Sequence, residues 1–196
     1  MIYAAEKFDF PKVPFVFMRH GETDANRAGI IAGSSEPPLN QAGRQQATAI
    51  APLMAQGKWQ TVFVSPQDRA RKTAQLALPG YQPRVLDGLR ERHWGDLEGR
   101  PISEVTSRFD TPPNGEGFDA MCQRVSFAMQ QALAEVTDHL CVIVAHSGVA
   151  RCILYMTGFE ADGPRIANAT PMLFRPTTTG WDYENLTETL IKEISA

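Results

Sequence analysis

Several familiar phosphate and metal chemistries are missing from this chain. It has no GxxxxGK[ST] run, so the glycine-rich cradle of a P-loop nucleotide site is excluded. It has no Asp-x-Asp, which argues against an aspartyl-phosphate mechanism. Its 4 histidines have neither His-x-His nor HExxH spacing, and no metal or other cofactor is expected. Only 3 cysteines occur, Cys122, Cys141 and Cys152, an odd number without a CxxC pair; reduced, buried thiols are the expectation. Six residues after each stands Ala128, Ser147 or Gly158, never arginine, so a cysteine-based phosphatase loop is absent.

Excess positive charge is lacking too. The formal net charge is −3, so no global field draws nucleic acid or an anionic membrane, and any anion site must be local. No apolar run approaches the ~18 residues of a membrane span. The start, Met1-Ile2-Tyr3-Ala4-Ala5-Glu6-Lys7, has no basic segment leading into a long apolar one, so neither a leader nor membrane association is expected, and a cytoplasmic location is. No pattern specifies an oligomeric state.

What is present is a regular alternation of strand and helix signals. Its 196 residues suit one domain, residues 1–196, without repeats or a low-complexity linker. Apolar runs at Val13–Phe17, Thr61–Val64 and Leu140–Ala145 read as strands, with a short one at Val85-Leu86 and late ones at Met172–Phe174 and Trp181–Tyr183. Helices are expected from an Asn40 cap through Met54, from Pro66 to Leu78, from Phe118 to Val136 and from Val149 to Thr157, with a short one within Pro101–Phe109. This pattern predicts an α/β fold, a mostly parallel central sheet with helices on both faces.

The unusual residues fall at equivalent places on that map. Arg19 and His20 follow the first strand, Ser65 and Arg69 the second, and His146 the central apolar strand. Carboxyl ends of strands are where open α/β sheets bind ligands. Arg69 stands in the first turn of a helix, where free N–H groups and the positive dipole end favour an anion. Glu91, in Leu89-Arg90-Glu91-Arg92-His93-Trp94-Gly95, is either a surface carboxylate or a partly desolvated acid with a raised pKa. Arg71 and Lys72 read as a solvated face, His139 as a turn residue and His93 as a pocket wall. Trp94, Phe109 and Phe118 are candidates for an apolar rim or for the core.

Five ordered segments carry a resemblance. They are Arg19-His20-Gly21-Glu22-Thr23 with Asn26; Glu36-Pro37-Pro38-Leu39-Asn40 with Gly43 and Gln46-Ala47; Ser65 with Arg69-Ala70 and Thr73-Ala74; Glu91-Arg92-His93-Trp94-Gly95 with Glu98-Gly99; and Ala145-His146 with Gly148. Asn114-Gly115-Glu116 and Asn168-Ala169 are weaker matches. The chain resembles the histidine phosphatase superfamily, in its phosphoglycerate mutase-like branch. The resemblance implies that His20 becomes phosphorylated, that Arg19, Arg69 and His146 hold phosphoryl oxygens, and that Glu91 gives and takes the proton. It implies that Thr23 and Asn26 border the phosphate or substrate. Ser147 stands where the family usually has glycine, so either its N–H reaches the phosphate or its hydroxyl intrudes. Gly117 stands where a serine often follows the glutamate.

The stretch from Arg100 to Gly115 is short and no Arg-Arg pair follows Glu91, which favours hydrolysis of a small phosphorylated substrate over mutase chemistry. Phosphoglycerate mutase is the alternative, with a non-catalytic phospho-ligand module behind it.

Overall fold

The computed structural model describes residues 7–163 and 165–194. The reading of residues 1–6 as leader-free lies outside the described residues.

Alternation of side chains builds the core from the first strand outward. In β1 (Phe15–Arg19), Phe15 and Phe17 belong to one apolar cluster and Val16 and Met18 to another, because successive strand residues face opposite sides. A one-turn helix, α1 (Asp24–Arg27), follows. Asn40 caps α2 (Gln41–Ala49) by accepting from the Gly43 N–H, and α3 (Ala51–Met54) continues it after a break at Ile50. The sequence predicts one uninterrupted helix here. Pro52 divides it, since proline offers no N–H and its ring crowds the preceding turn.

Next come β2 (Val62–Val64), α4 (Asp68–Ala77) and β3 (Arg84–Val85). Pro66 precedes α4 rather than opening it. Gln67 is the cap residue, in extended conformation, with its N–H on Ser65 Oγ at 3.3 Å. The expected helix within residues 101–109 is a single 3-10 turn, Ile102–Glu104. Then follow α5 (Phe118–Leu133), β4 (Val142–Ala145), α6 (Ser147–Met156), β5 (Pro171–Pro176), β6 (Trp181–Asn185) and α7 (Glu188–Ile194). Both α5 and α6 are within a few residues of their predicted limits.

The sheet runs β3-β2-β4-β1-β5-β6. The first four strands are parallel, β5 runs antiparallel to β1, and β6 runs antiparallel to β5 and so in the direction of the first four. On one face Met121, Val125 and Met129 of α5 and Val149 and Ile153 of α6 pack with Phe15, Phe17, Phe63 and Ile143. On the other, Met54, Ala70, Ala74, Ala77, Leu190 and Ile191 pack with Val16, Met18, Val62, Val64, Val142 and Val144. Burying one large apolar side chain contributes about 1.5–3 kcal/mol, so these two layers fix the strands firmly. Cys122, Cys141 and Cys152 are buried and free, and burial pushes the Cys141 thiol up to about 12.

This register determines the site. Arg19 pairs with Ala145, and Val64 with Val144, so β2, β4 and β1 end side by side. The loop after β1 is pressed against α2: a Cβ on Gly21 would lie 2.4 Å from the Gly43 carbonyl oxygen, and one on Gly43 would lie 2.0 Å from that of Glu22. Only residues without a side chain allow this approach.

Candidate active site

His20 continues the β1–β4 ladder one step past the strand, its N–H on the Ala145 carbonyl at 2.9 Å. Its side-chain Nδ1 lies 2.7 Å from the Gly21 carbonyl oxygen. A carbonyl can only accept, so Nδ1 carries the hydrogen and Nε2 keeps its lone pair. Burial, then Arg69 and Arg19, holds the imidazole well below the usual histidine range. The ring is therefore neutral at neutral pH. The Asn168 amide donates to the His20 carbonyl at 2.7 Å and fixes the loop from the far side.

Three polar groups surround this ring. Arg19 Nη1 donates to the Ile166 carbonyl at 3.0 Å, and burial first, then Arg165, pushes its guanidinium down to about 9. Arg69 is 1% exposed; Nη1 donates to Ser35 at 2.7 Å and Nη2 to Gly33 at 2.9 Å, both carbonyls of the loop before α2. His146 lies with its ring centroid 5.1 Å from that of His20, and its Nε2 is 2.7 Å from Ser65 Oγ. Ser65 Oγ already accepts from the Gln67 N–H, so its own proton can go to His146 Nε2, leaving the imidazole hydrogen on Nδ1.

Burial, then Arg69 and His20, holds His146 well below its usual range, so it donates as a neutral ring rather than as a cation. Arg19 Nε, Arg69 Nε and His146 Nδ1 are all buried without a protein partner. Leaving such donors unmatched costs about 1–3 kcal/mol each, a cost that an oxyanion among them would remove.

Glu91 sits opposite, on the connection after β3. Its two oxygens accept from the Gly148 N–H at 3.0 and 3.1 Å, and Oε1 also accepts from the Arg92 N–H at 2.8 Å. Its own N–H donates to Gln67 Oε1 at 2.8 Å, while the Gln67 amide donates to the Gly33 carbonyl at 3.1 Å. Gln67 thus joins Glu91 to the loop that holds Arg69. A Cβ at Gly148 would lie 2.1 Å from Glu91 Oε1, so a side chain there would push the carboxylate from this seat. The Arg92 guanidinium turns away. It donates to the carbonyls of Arg108, Asp110 and Glu116 and stacks 4.4 Å over Trp94, so it braces the 108–116 loop rather than desolvating Glu91.

Arg19, His20, Asn26, Arg69, Glu91 and Ser147 line one small chamber of about 50 Å³. His146, fully buried beside His20, is not among its walls, and neither is Thr23. The latter is fully buried and caps α1, its Oγ1 accepting from the Asn26 N–H at 3.2 Å while Asn26 Oδ1 accepts from the Thr23 N–H at 3.2 Å. The demand of four free N–H groups at a helix start explains that placement. Asn26 keeps a second contact, to the Asn168 amide at 3.4 Å. Ser147 opens α6 and its hydroxyl accepts from Arg165 Nε at 3.3 Å. Trp94 and Phe118 are buried, whereas Phe109 is 51% exposed. His93 lines a neighbouring cavity of about 510 Å³, with Gln67 in its wall, that shares Glu91 with the chamber.

Gln67, Arg108 and Arg165 escape sequence reasoning as site residues. The first has a usable signal in its position between Ser65 and Arg69; the arginines lie on irregular connections with no period to place them. Among the described residues no three His, Cys, Asp or Glu side chains gather into a metal site.

The geometry has relatives. The family described as the histidine phosphatase superfamily (branch 1) matches residues 15–189. The adenosylcobalamin/alpha-ribazole phosphatase of Salmonella typhimurium is 32% identical over 70% of this chain and 75% of its own. The metal-independent phosphoserine phosphatase of Arabidopsis thaliana is 32% identical over 79% and 73% respectively. The crystal structure of the alpha-ribazole phosphatase from Shigella flexneri superposes with a TM-score of 0.75 at 25% identity, covering 90% of this chain and 97% of that one.

Proposed function

The chain belongs to the histidine phosphatase superfamily, and from that premise we propose that it is a metal-independent phosphomonoesterase working through a phosphohistidine at His20. The observation that carries this reading is the His20 ring, its Nδ1 committed to the Gly21 carbonyl and its Nε2 free, among three buried donors without protein partners. We also read residues 1–196 as one domain, supported by strands from Phe15 to Asn185 joining one sheet. A cytoplasmic setting is supported by the free thiols.

The chemistry follows from the placement of charge. A phosphomonoester enters with about two negative charges, and its transition state spreads charge over the equatorial oxygens. Arg19, Arg69 and His146 meet those oxygens with donors already in position, so little reorganisation is needed as the bond breaks. His20 Nε2 forms a bond to phosphorus while the bond from phosphorus to the alcohol oxygen breaks. Glu91, as the acid, gives that oxygen its proton. Water then attacks phosphorus and loses a proton to the Glu91 carboxylate; the N–P bond breaks, phosphate leaves and the Nε2 lone pair returns. Gly148 and Gln67 hold the carboxyl and the backbone of Glu91 at the edge of the chamber throughout. The guanidinium groups supply the charge that a divalent metal would otherwise bring.

The test is hydrolysis of an aryl phosphate in excess EDTA. Activity should persist, and His20→Ala should lose at least ~100-fold. Full activity in that variant overturns the reading. Product analysis with 3-phosphoglycerate separates hydrolysis from mutase chemistry: inorganic phosphate is expected, an isomerised monophosphate is not.

A further inference from the structure

Building on that phosphatase reading, we propose that Arg124 is a positioning residue for proton transfer. Through its pair with Glu116 it sets the place of Glu91, and with it the rate on substrates whose leaving oxygen needs a proton most.

Glu91 has no regular element to hold it. It follows the 3-10 turn Asp87–Leu89, on the stretch between β3 and α5. Leu89 is fully buried and anchors the start of this stretch in the core. Beyond it Arg90, Glu91 and His93 line the cavity of about 510 Å³, so on that side no packed layer fixes the chain. A polar clamp takes its place.

Arg124 supplies the clamp from α5. A guanidinium has five N–H donors, and here each has an acceptor. Nη1 donates to the carbonyls of Gly88 and Arg90, both at 2.8 Å, and Nη2 to that of Glu91 at 3.2 Å. Nε and Nη2 also form a fork on the Glu116 carboxylate, at 2.6 and 2.7 Å. Glu116 in turn donates its backbone N–H to the His93 carbonyl at 2.8 Å. The pair therefore grips the chain on both sides of Glu91.

The close approach is written into the sequence. A Cβ on Gly88 would lie 2.7 Å from the Arg124 carbonyl oxygen and 2.8 Å from Ala128 Cβ, so the turn rests directly on α5. Met121, Val125 and Met129 hold that helix in the core, and the clamp ties Glu91 to it. The Arg124 and Glu116 side chains are only 20% and 18% exposed, which shelters their fork from the screening that weakens surface pairs. Arg124 does not line the chamber, so its effect on the reaction passes through Glu91. A proton donor misplaced by about 1 Å loses up to ~100-fold in rate.

The experiment compares phenyl phosphate with 4-nitrophenyl phosphate, which differ in how far the leaving oxygen depends on a proton. In single-turnover phosphorylation, Arg124→Gln should lose ~10-fold to ~100-fold on phenyl phosphate and at most ~3-fold on 4-nitrophenyl phosphate, with KM changed by less than ~3-fold. Added to Glu91→Gln, it should cost no more than ~2-fold further, because the group it positions is already disabled. Arg124→Lys should recover part of the rate on phenyl phosphate, since an ammonium still meets Glu116. Should Arg124→Gln fail to fold, Glu116→Gln carries the same comparison and should show the same split between substrates at smaller size. Equal losses on both substrates, no loss on either, or a full further loss in the Glu91→Gln background overturns the positioning role while leaving the phosphatase standing. A wild type that hydrolyses neither substrate, or hydrolysis that His20→Ala leaves intact, overturns the phosphatase reading and this inference with it.

Discussion

The two halves of the site are built differently. Arg19, His20, Ser65 and His146 stand at the ends of three adjacent strands, and Arg69 in the first turn of the helix that follows one of them; all are nearly inaccessible. Glu91, Arg108 and Arg165 stand on connections and are half-buried or exposed. The strand-end half derives its positions from the sheet register and two packed faces. The connection half derives its positions from hydrogen bonds between loops, above all those of Gln67 and Gly148. In the proposed mechanism the groups that attack and hold phosphorus sit on the rigid half, and the proton donor Glu91 sits on the half held by contacts between connections.

The largest effect should come from unpinning the rigid half. Arg69→Gln removes a transition-state donor and also releases the Gly33 and Ser35 carbonyls, so kcat/KM should fall ~100-fold to ~1000-fold in steady-state assays. A loss under 10-fold would mean that the strand-end half is not where phosphoryl charge is held.

The connection half is sharpened by the leaving group. Glu91→Gln should cost an alkyl phosphate ~100-fold, because an alkoxide leaves poorly without a proton, and cost 4-nitrophenyl phosphate far less in the phosphorylation step. Equal losses for both substrates in single-turnover kinetics would remove the proton from the role of Glu91.

Next in size is a pH effect on stability that belongs to the rigid half alone. His20 and His146 are held neutral in the fold, well below the value an unfolded histidine takes. Above pH ~6.5 neither state binds the proton; as pH falls below it the unfolded chain gains protons that the fold refuses. Stability is therefore fully present above pH ~6.5 and declines by about 1.4 kcal/mol per pH unit for each histidine, down to its folded value. Urea unfolding of His20→Asn should show a shallower decline below pH 6.5 than wild type. Identical slopes would mean that the His20 ring titrates freely in the fold.

The smallest expected effect is at Thr23, which caps a helix and does not line the chamber. Thr23→Ala should cost about 1 kcal/mol in denaturant unfolding and change KM little. A large rise in KM with unchanged stability would return Thr23 to substrate contact.

The strand-end half was legible in the sequence because apolar runs mark strands and the residue after each run is thereby placed. Phe15–Phe17, Val62–Val64 and Val142–Ala145 put Arg19, His20, Ser65 and His146 at one edge of the sheet. The connection half was legible only where a family pattern marked Glu91. Arg108 and Arg165 carry no periodic signal, and the loops that bring them to the chamber are fixed by contacts distant in sequence, such as Arg92 to the Arg108 carbonyl. The short helix α1 was hidden for a related reason: four residues are too few to show a helical period, and only the Thr23–Asn26 exchange announces it. The break at Pro52 was readable, since proline inside a helical pattern carries its own mechanism.

The central claim is a covalent bond between phosphorus and His20 Nε2. It is tested most directly by mixing the protein with a ³²P-labelled aryl phosphate, quenching in alkali during turnover and mapping the labelled peptide. The account predicts an alkali-stable, acid-labile label on His20 that appears before inorganic phosphate is released. Steady phosphate release from an active enzyme with no label on that histidine, or with the label on another residue, would contradict it.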